Sequence, residues 1–174
     1  MPLAVTHVLL TIIVVDIWRD YFTKHKRYVT MHTLFLAGVG GLLPDLDVPF
    51  NIAANWMGMT LPKLLQHGGI THTPFFALLF FIPGYLLWKK RKHRMAMYFY
   101  VVSFGILFHI FLDWFLGGGS YEGIMWLFPF SLQGFKVHLL LLVGGGNIPS
   151  ALDAVILLFW LWHEEMKHKI TDFI

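Results

Sequence analysis

Five long apolar stretches, separated by short polar or glycine-rich breaks, organise the chain. The first runs from about Leu3 to Phe22 and ends in Lys24, His25, Lys26 and Arg27. The second, from about Tyr28 to Leu43, carries Gly38, Gly40 and Gly41 and stops at Pro44. Small residues of this kind let helices approach closely in lipid. The third, Pro74 to Trp88, opens with a proline suited to a first helical turn, and Pro83 within it predicts a kink. It ends in a basic cluster, Lys89 to Arg94. The fourth, from about Met95 to Leu116, stops at Gly117, Gly118 and Gly119, and the fifth runs from about Pro149 to Trp162.

These stretches are too long and too uniformly apolar for strands, so the expected fold is all-α. At ~1.5 Å rise, a 15-residue helix covers only about 23 Å of a hydrocarbon core near 30 Å. The shorter spans therefore call for partial insertion or a locally thinned bilayer. Residues 48–70 mix Pro, Asn, Gly, Trp and Met and read as an interfacial loop or short helix. Residues 120–148 read as a re-entrant or surface-lying segment.

Composition moves the pattern into a membrane. Hydrophobic residues make up 57% of the chain, charged residues 13%, and mean hydropathy is +0.64. A soluble domain carries about 25% charged residues, so water alone cannot solvate this surface. A pI near 9.2 would suit nucleic acid, but the basic residues sit at span ends, and no nucleic-acid partner is expected. The absence of cysteine excludes disulfides and thiolate metal sites. The N-terminus lacks a basic leader, so the first stretch reads as a retained helix.

The clusters 24–27 and 89–94, with Lys167 and Lys169, follow odd-numbered spans and fall on one side if the spans alternate. Excess Lys and Arg mark the cytoplasmic side. The chain thus reads as one membrane-embedded domain over residues 1–174. Its N-terminus would lie outside the cell (inner) membrane and its C-terminus in the cytoplasm.

On that topology, His7, Asp45, Asp47, His67, His72, His109 and Asp113 converge on the outer face from four separate segments. His109 and Asp113 are four apart and share one helix face. Carboxylates beside neutral imidazoles suit zinc, manganese or iron, and clustered aspartates need a cation to offset their repulsion. Seven candidate ligands exceed one tetrahedral zinc and suit one to three divalent ions per chain, zinc first. Taken singly each residue has a plain structural role, such as a helix stop for Asp45 and Asp47 or a buried pair for His109 and Asp113. Asp45 and Asp47 double as candidate general bases. Thr71, Ser131 and Lys136 are candidate substrate contacts, Lys136 for an anionic group. Asp16, Arg19 and Asp20 read as local helix pairs, and His163 as a solvated residue or phospholipid contact.

The run from Gly41 to Asp47, the segment His67 to Thr73, the pair His109 and Asp113 and the segment Trp126 to Ser131, after a start containing His7, resemble the YdjM-like family. The resemblance covers roughly residues 1–131. It implies a membrane-bound, metal-dependent hydrolase, distantly similar to zinc-dependent phospholipase C and P1-type nucleases, with a lipid-like phosphoester as substrate and membrane lipids as partners. This chain departs from those enzymes in being membrane-embedded and in lacking an obvious terminal-amine ligand. Two other readings stay open: a metal-ion or proton transporter using Asp16, Asp20 and His32 toward the inner side, and a structural protein with a metal staple.

Overall fold

The computed structural model describes residues 4–22, 28–116, 123–137, 139 and 148–168. Helices α1 (Ala4–Tyr21) and α2 (Met31–Leu42) are followed by a 3-10 turn at Leu43–Leu46 and by α3 (Asp47–Trp56). Two further 3-10 turns, Lys63–Leu65 and Ile70–His72, lead into α4 (Pro74–Lys89), α5 (His93–Leu116) and α6 (Ile148–His168). With Met31–Trp56 taken as one helical run, the described residues form five helices and no strand, only an isolated bridge between Ile124 and Phe135. Met31–Trp56 and His93–Leu116 are long and apolar enough to cross a membrane.

Of the loop and short-helix readings of residues 48–70, residues 47–56 take the helix, because Asp45, Asp47 and Pro49 cluster near its start and leave its body free of breakers. Most expected boundaries fall within a few residues of the observed ones, with one correction. The fifth helix continues past Trp162 to His168 because α1 supports its last turns, where Lys167 lies 4.6 Å over the Tyr21 ring. Helix α4 is continuous across Pro83. Within residues 120–148, residues 123–137 form a turn and the Ile124–Phe135 bridge, and Val137 N–H donates to Trp114 O at 3.0 Å. His138 and residues 23–27 lie outside the described residues.

Glycine sets the closeness of the bundle. A Cβ on Gly105 would meet Ala37 O at 2.6 Å, and one on Gly40 would meet Val102 O at 2.5 Å, so α2 and α5 touch backbone to backbone. A Cβ on Gly41 would meet His7 O at 2.9 Å, which brings α1 onto the same point. A contact this intimate excludes larger side chains, as expected of small residues between membrane helices.

The contacts also fix direction. Helices α2 and α5 run parallel, since Ala37 meets Gly105 and Gly41 meets His109. Helices α1 and α6 run parallel too: Thr6 bonds Asp153, and the Tyr21 ring lies tilted 6.1 Å from that of His163. Helix α4 opposes α5, because Ser103 Oγ donates to Ala77 O at 3.0 Å while Trp88 sits 4.4 Å from His93. The alternation therefore puts the start of α1, the end of α2, the start of α4 and the end of α5 together.

Candidate metal centre

Four pieces of chain deliver the polar cluster. Leu43–Leu46 tightens into a 3-10 turn with Pro44 in its first positions, which carries Asp45 past the end of α2. Thr73 caps α4 by accepting the Phe76 N–H at 3.4 Å, and Pro74 opens the helix, so His72 is held one residue before the cap. Helix α5 supplies His109 and Asp113 on one face, and α1 supplies His7. His7, His72, His109 and Asp113 are all buried, while Asp45 keeps 17% of its side chain exposed.

His72 Nε2 and His109 Nε2 lie 3.3 Å apart. Asp113 Oδ2 is 3.5 Å from the first and 3.3 Å from the second. Asp45 Oδ1 is 3.7 Å and 3.6 Å from the same two nitrogens. Two triangles thus share the His72–His109 edge. Ligands about 2.0–2.1 Å from a tetrahedral ion are separated by about 3.3–3.4 Å, so the Asp113 triangle has the dimensions of one tetrahedral face.

Hydrogen bonds on the far side of each ring aim these nitrogens inward. His109 Nδ1 is 2.7 Å from Gly41 O, a bond in which the ring N–H donates to the carbonyl and leaves Nε2 a lone pair. Thr71 Oγ donates to Asp47 Oδ2 at 2.8 Å and can accept from His72 Nδ1 at 3.1 Å. Asp47 also faces His72 Nδ1 at 3.3 Å and His67 Nδ1 at 2.8 Å. Two imidazole lone pairs and two carboxylates then converge on one dry point, an arrangement that needs a positive charge. Without an ion a proton can serve: burial opposes charging His72, yet Asp45, Asp47 and Asp113 outweigh it and its pKa is pushed up to about 9.

Asp113 is the clearest sign of an incomplete set. It is 1% exposed, and neither carboxylate oxygen has a hydrogen-bond partner among the described residues. A buried carboxylate left without donors costs several kcal/mol, roughly, unless a cation accompanies it. His7 Nε2 is 3.4 Å from Asp113 Oδ1, and the His7 ring stacks on His109 at 3.8 Å.

Of the seven candidate ligands, His7, Asp45, His67, His72, His109 and Asp113 fall in three overlapping groups able to hold an ion, and two of these groups contain Asp45. Asp47 falls in none of the three and instead braces His67, Thr71 and His72. Among the candidate substrate contacts, Thr71 touches the cluster. Ser131 Oγ is turned onto its own loop, accepting the Gln133 N–H at 3.2 Å. Lys136 is exposed on the segment tied to Trp114, the residue after Asp113.

Some participants carry no sequence signal. The Gly41 carbonyl is backbone, and Asp153, buried on α6, finds Thr6 on α1. Asp16 pairs with Arg19 at 2.6 Å as expected, but α6 adds His163 and Glu164 to it. His163 is thus half-buried in a second His/Asp/Glu group rather than solvated.

An all-helical membrane bundle with a buried histidine–aspartate cluster at one end is the class these features define. The chain belongs to the YdjM inner membrane protein family, which it matches over residues 1–171. No curated protein and no solved structure matches it.

Proposed function

We propose that this protein is a membrane-embedded metal-dependent hydrolase that cleaves a phosphoester or related ester of a lipid-like substrate. The observation that carries the reading is Asp113, a buried carboxylate without donors beside the Nε2 atoms of His72 and His109. In this reading His72, His109 and Asp113 hold a divalent ion, zinc first, while His7 with Asp45 and His109, or His67 with Asp45 and His72, form overlapping alternative ligand groups. The ion would acidify water and polarise an ester oxygen.

Asp45 is the candidate base, because it is the most exposed carboxylate of the group and faces both imidazoles. It would accept a proton from water as the water oxygen bonds to phosphorus. The ester P–O bond then breaks, and the proton passes to the departing alkoxide. Asp47, Thr71 and the Gly41 carbonyl act as positioning groups that hold the rings. The exposed basic turn Lys89–Arg94, at the opposite end of α4 and α5, supports an extracytoplasmic site. In the likeness to phospholipase C and P1-type nucleases, the His109 and Asp113 pair is the piece that matches best.

Elemental analysis of detergent-purified protein tests the reading. Wild type should carry at least one transition-metal ion per chain, His109→Ala and Asp113→Ala should lose it, and loaded wild type should turn over phosphodiesters. A folded wild type that refuses metal would overturn it.

A second reading, cation transport, is favoured by the Asp16, His163 and Glu164 group at the other end of α1. Nine residues of α1, about 13 Å, separate Asp16 from His7, and Val15, Leu34, Ala37 and Val101 pack together along that stretch of the bundle. Metal-driven flux in proteoliposomes would favour transport over hydrolysis.

A further inference from the structure

Beside the histidine–aspartate cluster lies a cavity of about 530 Å³ between α3 and the segment 59–71. Its walls include Phe50, Ala54, Met57 and Phe76, and among the described residues its only polar lining is Asp47 and Thr71. Both of these touch His72, so the polar end of the cavity is also a wall of the candidate centre. The volume lies within the roughly 300–1,000 Å³ typical of small-molecule sites.

We propose that this cavity holds one hydrocarbon chain of the substrate, so that the substrate class is an amphiphile whose ester lies within a few bonds of its chain. The proposal rests on the hydrolase reading. Three features favour a chain over other occupants. Among the described residues no basic side chain lines the cavity, so they offer nothing to a second phosphate or a carboxylate. Met57 and Met59 provide flexible, polarizable walls that adapt to a chain of variable conformation. The outer rim is itself apolar and exposed: Phe50 is 71%, Met57 68% and Met59 54% accessible, a surface that a bilayer covers. A chain can therefore slide in from the lipid without crossing water, while Asp47 and Thr71 mark where its polar end begins.

The test uses the full metal-loaded chain in nanodiscs and a series of p-nitrophenyl alkyl phosphodiesters from methyl to decyl. The expected result is a kcat/KM that rises by up to about fourfold per methylene and then levels off. Partitioning into the bilayer also favours long chains, but equally in any variant. The deciding readout is therefore the decyl-to-methyl ratio in Ala53→Trp, which fills the cavity from an exposed position on α3. That ratio should fall at least tenfold. An unchanged ratio would overturn the chain site while leaving the hydrolase reading intact, with the cavity merely filled by bilayer lipid.

If no ester is turned over by protein that retains its ions, the hydrolase reading fails and binding decides the cavity. Decyl phosphate, titrated calorimetrically, should then bind wild type at least tenfold more tightly than Ala53→Trp, and equal affinities would overturn the proposal. Met57→Trp, also at an exposed cavity position, serves should Ala53→Trp not fold.

Discussion

His72 and His109 point their Nε2 atoms at each other across 3.3 Å, and each ring is held from behind, His109 by the Gly41 carbonyl and His72 by Asp47 and Thr71. Such back-bonded imidazoles are poised to ligate. His72→Ala, His109→Ala and Asp113→Ala should each abolish stoichiometric metal, read by mass spectrometry of purified protein. Retention of a full complement by any two of them would contradict the assignment.

Asp47 should behave differently from Asp45. It braces the rings of His67 and His72, so Asp47→Asn should weaken metal affinity by about 10–100-fold, the usual cost of an orienting partner, without abolishing binding. Asp45→Asn should reduce turnover more than Asp47→Asn at saturating metal. Competition with a chromophoric chelator measures the first effect and phosphodiester hydrolysis the second.

Metal-free protein should lose stability in alkaline solution. The pKa of His72 is pushed up to about 9 from 6.5, so its charge contributes fully below pH 6.5 and this contribution disappears as pH rises through about 9. The melting temperature in chelator should fall between those values, while metal affinity rises because fewer protons compete. A melting temperature that is flat across the window would show that His72 is not charged in the folded state.

Gly105→Ala should damage the site from a distance. Its new Cβ would press on Ala37 O, now 2.6 Å from that position, and move α2 away from α5. Overpacking of this kind costs about 1–3 kcal/mol. The same movement draws the Gly41 carbonyl off His109, so lower thermal stability and weaker metal binding should appear together.

The Thr6–Asp153 bond joins α1 to α6 away from the ligand atoms. Asp153→Ala leaves a buried hydroxyl unpaired, at about 1–3 kcal/mol. Melting should shift downward while metal content stays at the wild-type level. Loss of metal in this variant would mean that α6 also helps to set the position of His7.

Much of the fold could be read from apolar run lengths and from the polar residues that end them. The pairing of His109 with Asp113 follows from helical spacing, and the runs around Asp45 and His72 are short enough to survive as motifs. What escaped was whatever depends on distant backbone. Asp45 and Asp47 look equivalent in sequence, but they straddle the junction between a 3-10 turn and α3, and this sends one toward His109 and the other toward His67. Asp153 sits alone in an apolar helix, and its partner is 147 residues away. His163 follows Trp162 in a charged tail that resembles a solvated terminus until α1 is placed beside it.

The parallel pairing of α1 with α6 has a consequence for biogenesis. Thr6, His7, Thr11 and Asp16 are all buried in the finished bundle, yet they belong to a helix made before those that cover it. Their shelter is made later: Gly41 of α2 covers Thr11, Asp113 of α5 meets His7, and Asp153 of α6 meets Thr6. Until α6 is synthesised, α1 is a polar-striped segment that lipid solvates poorly. Its final insertion is thereby tied to the synthesis of α6, and truncation before Asp153 would leave α1 with no settled place in the bilayer.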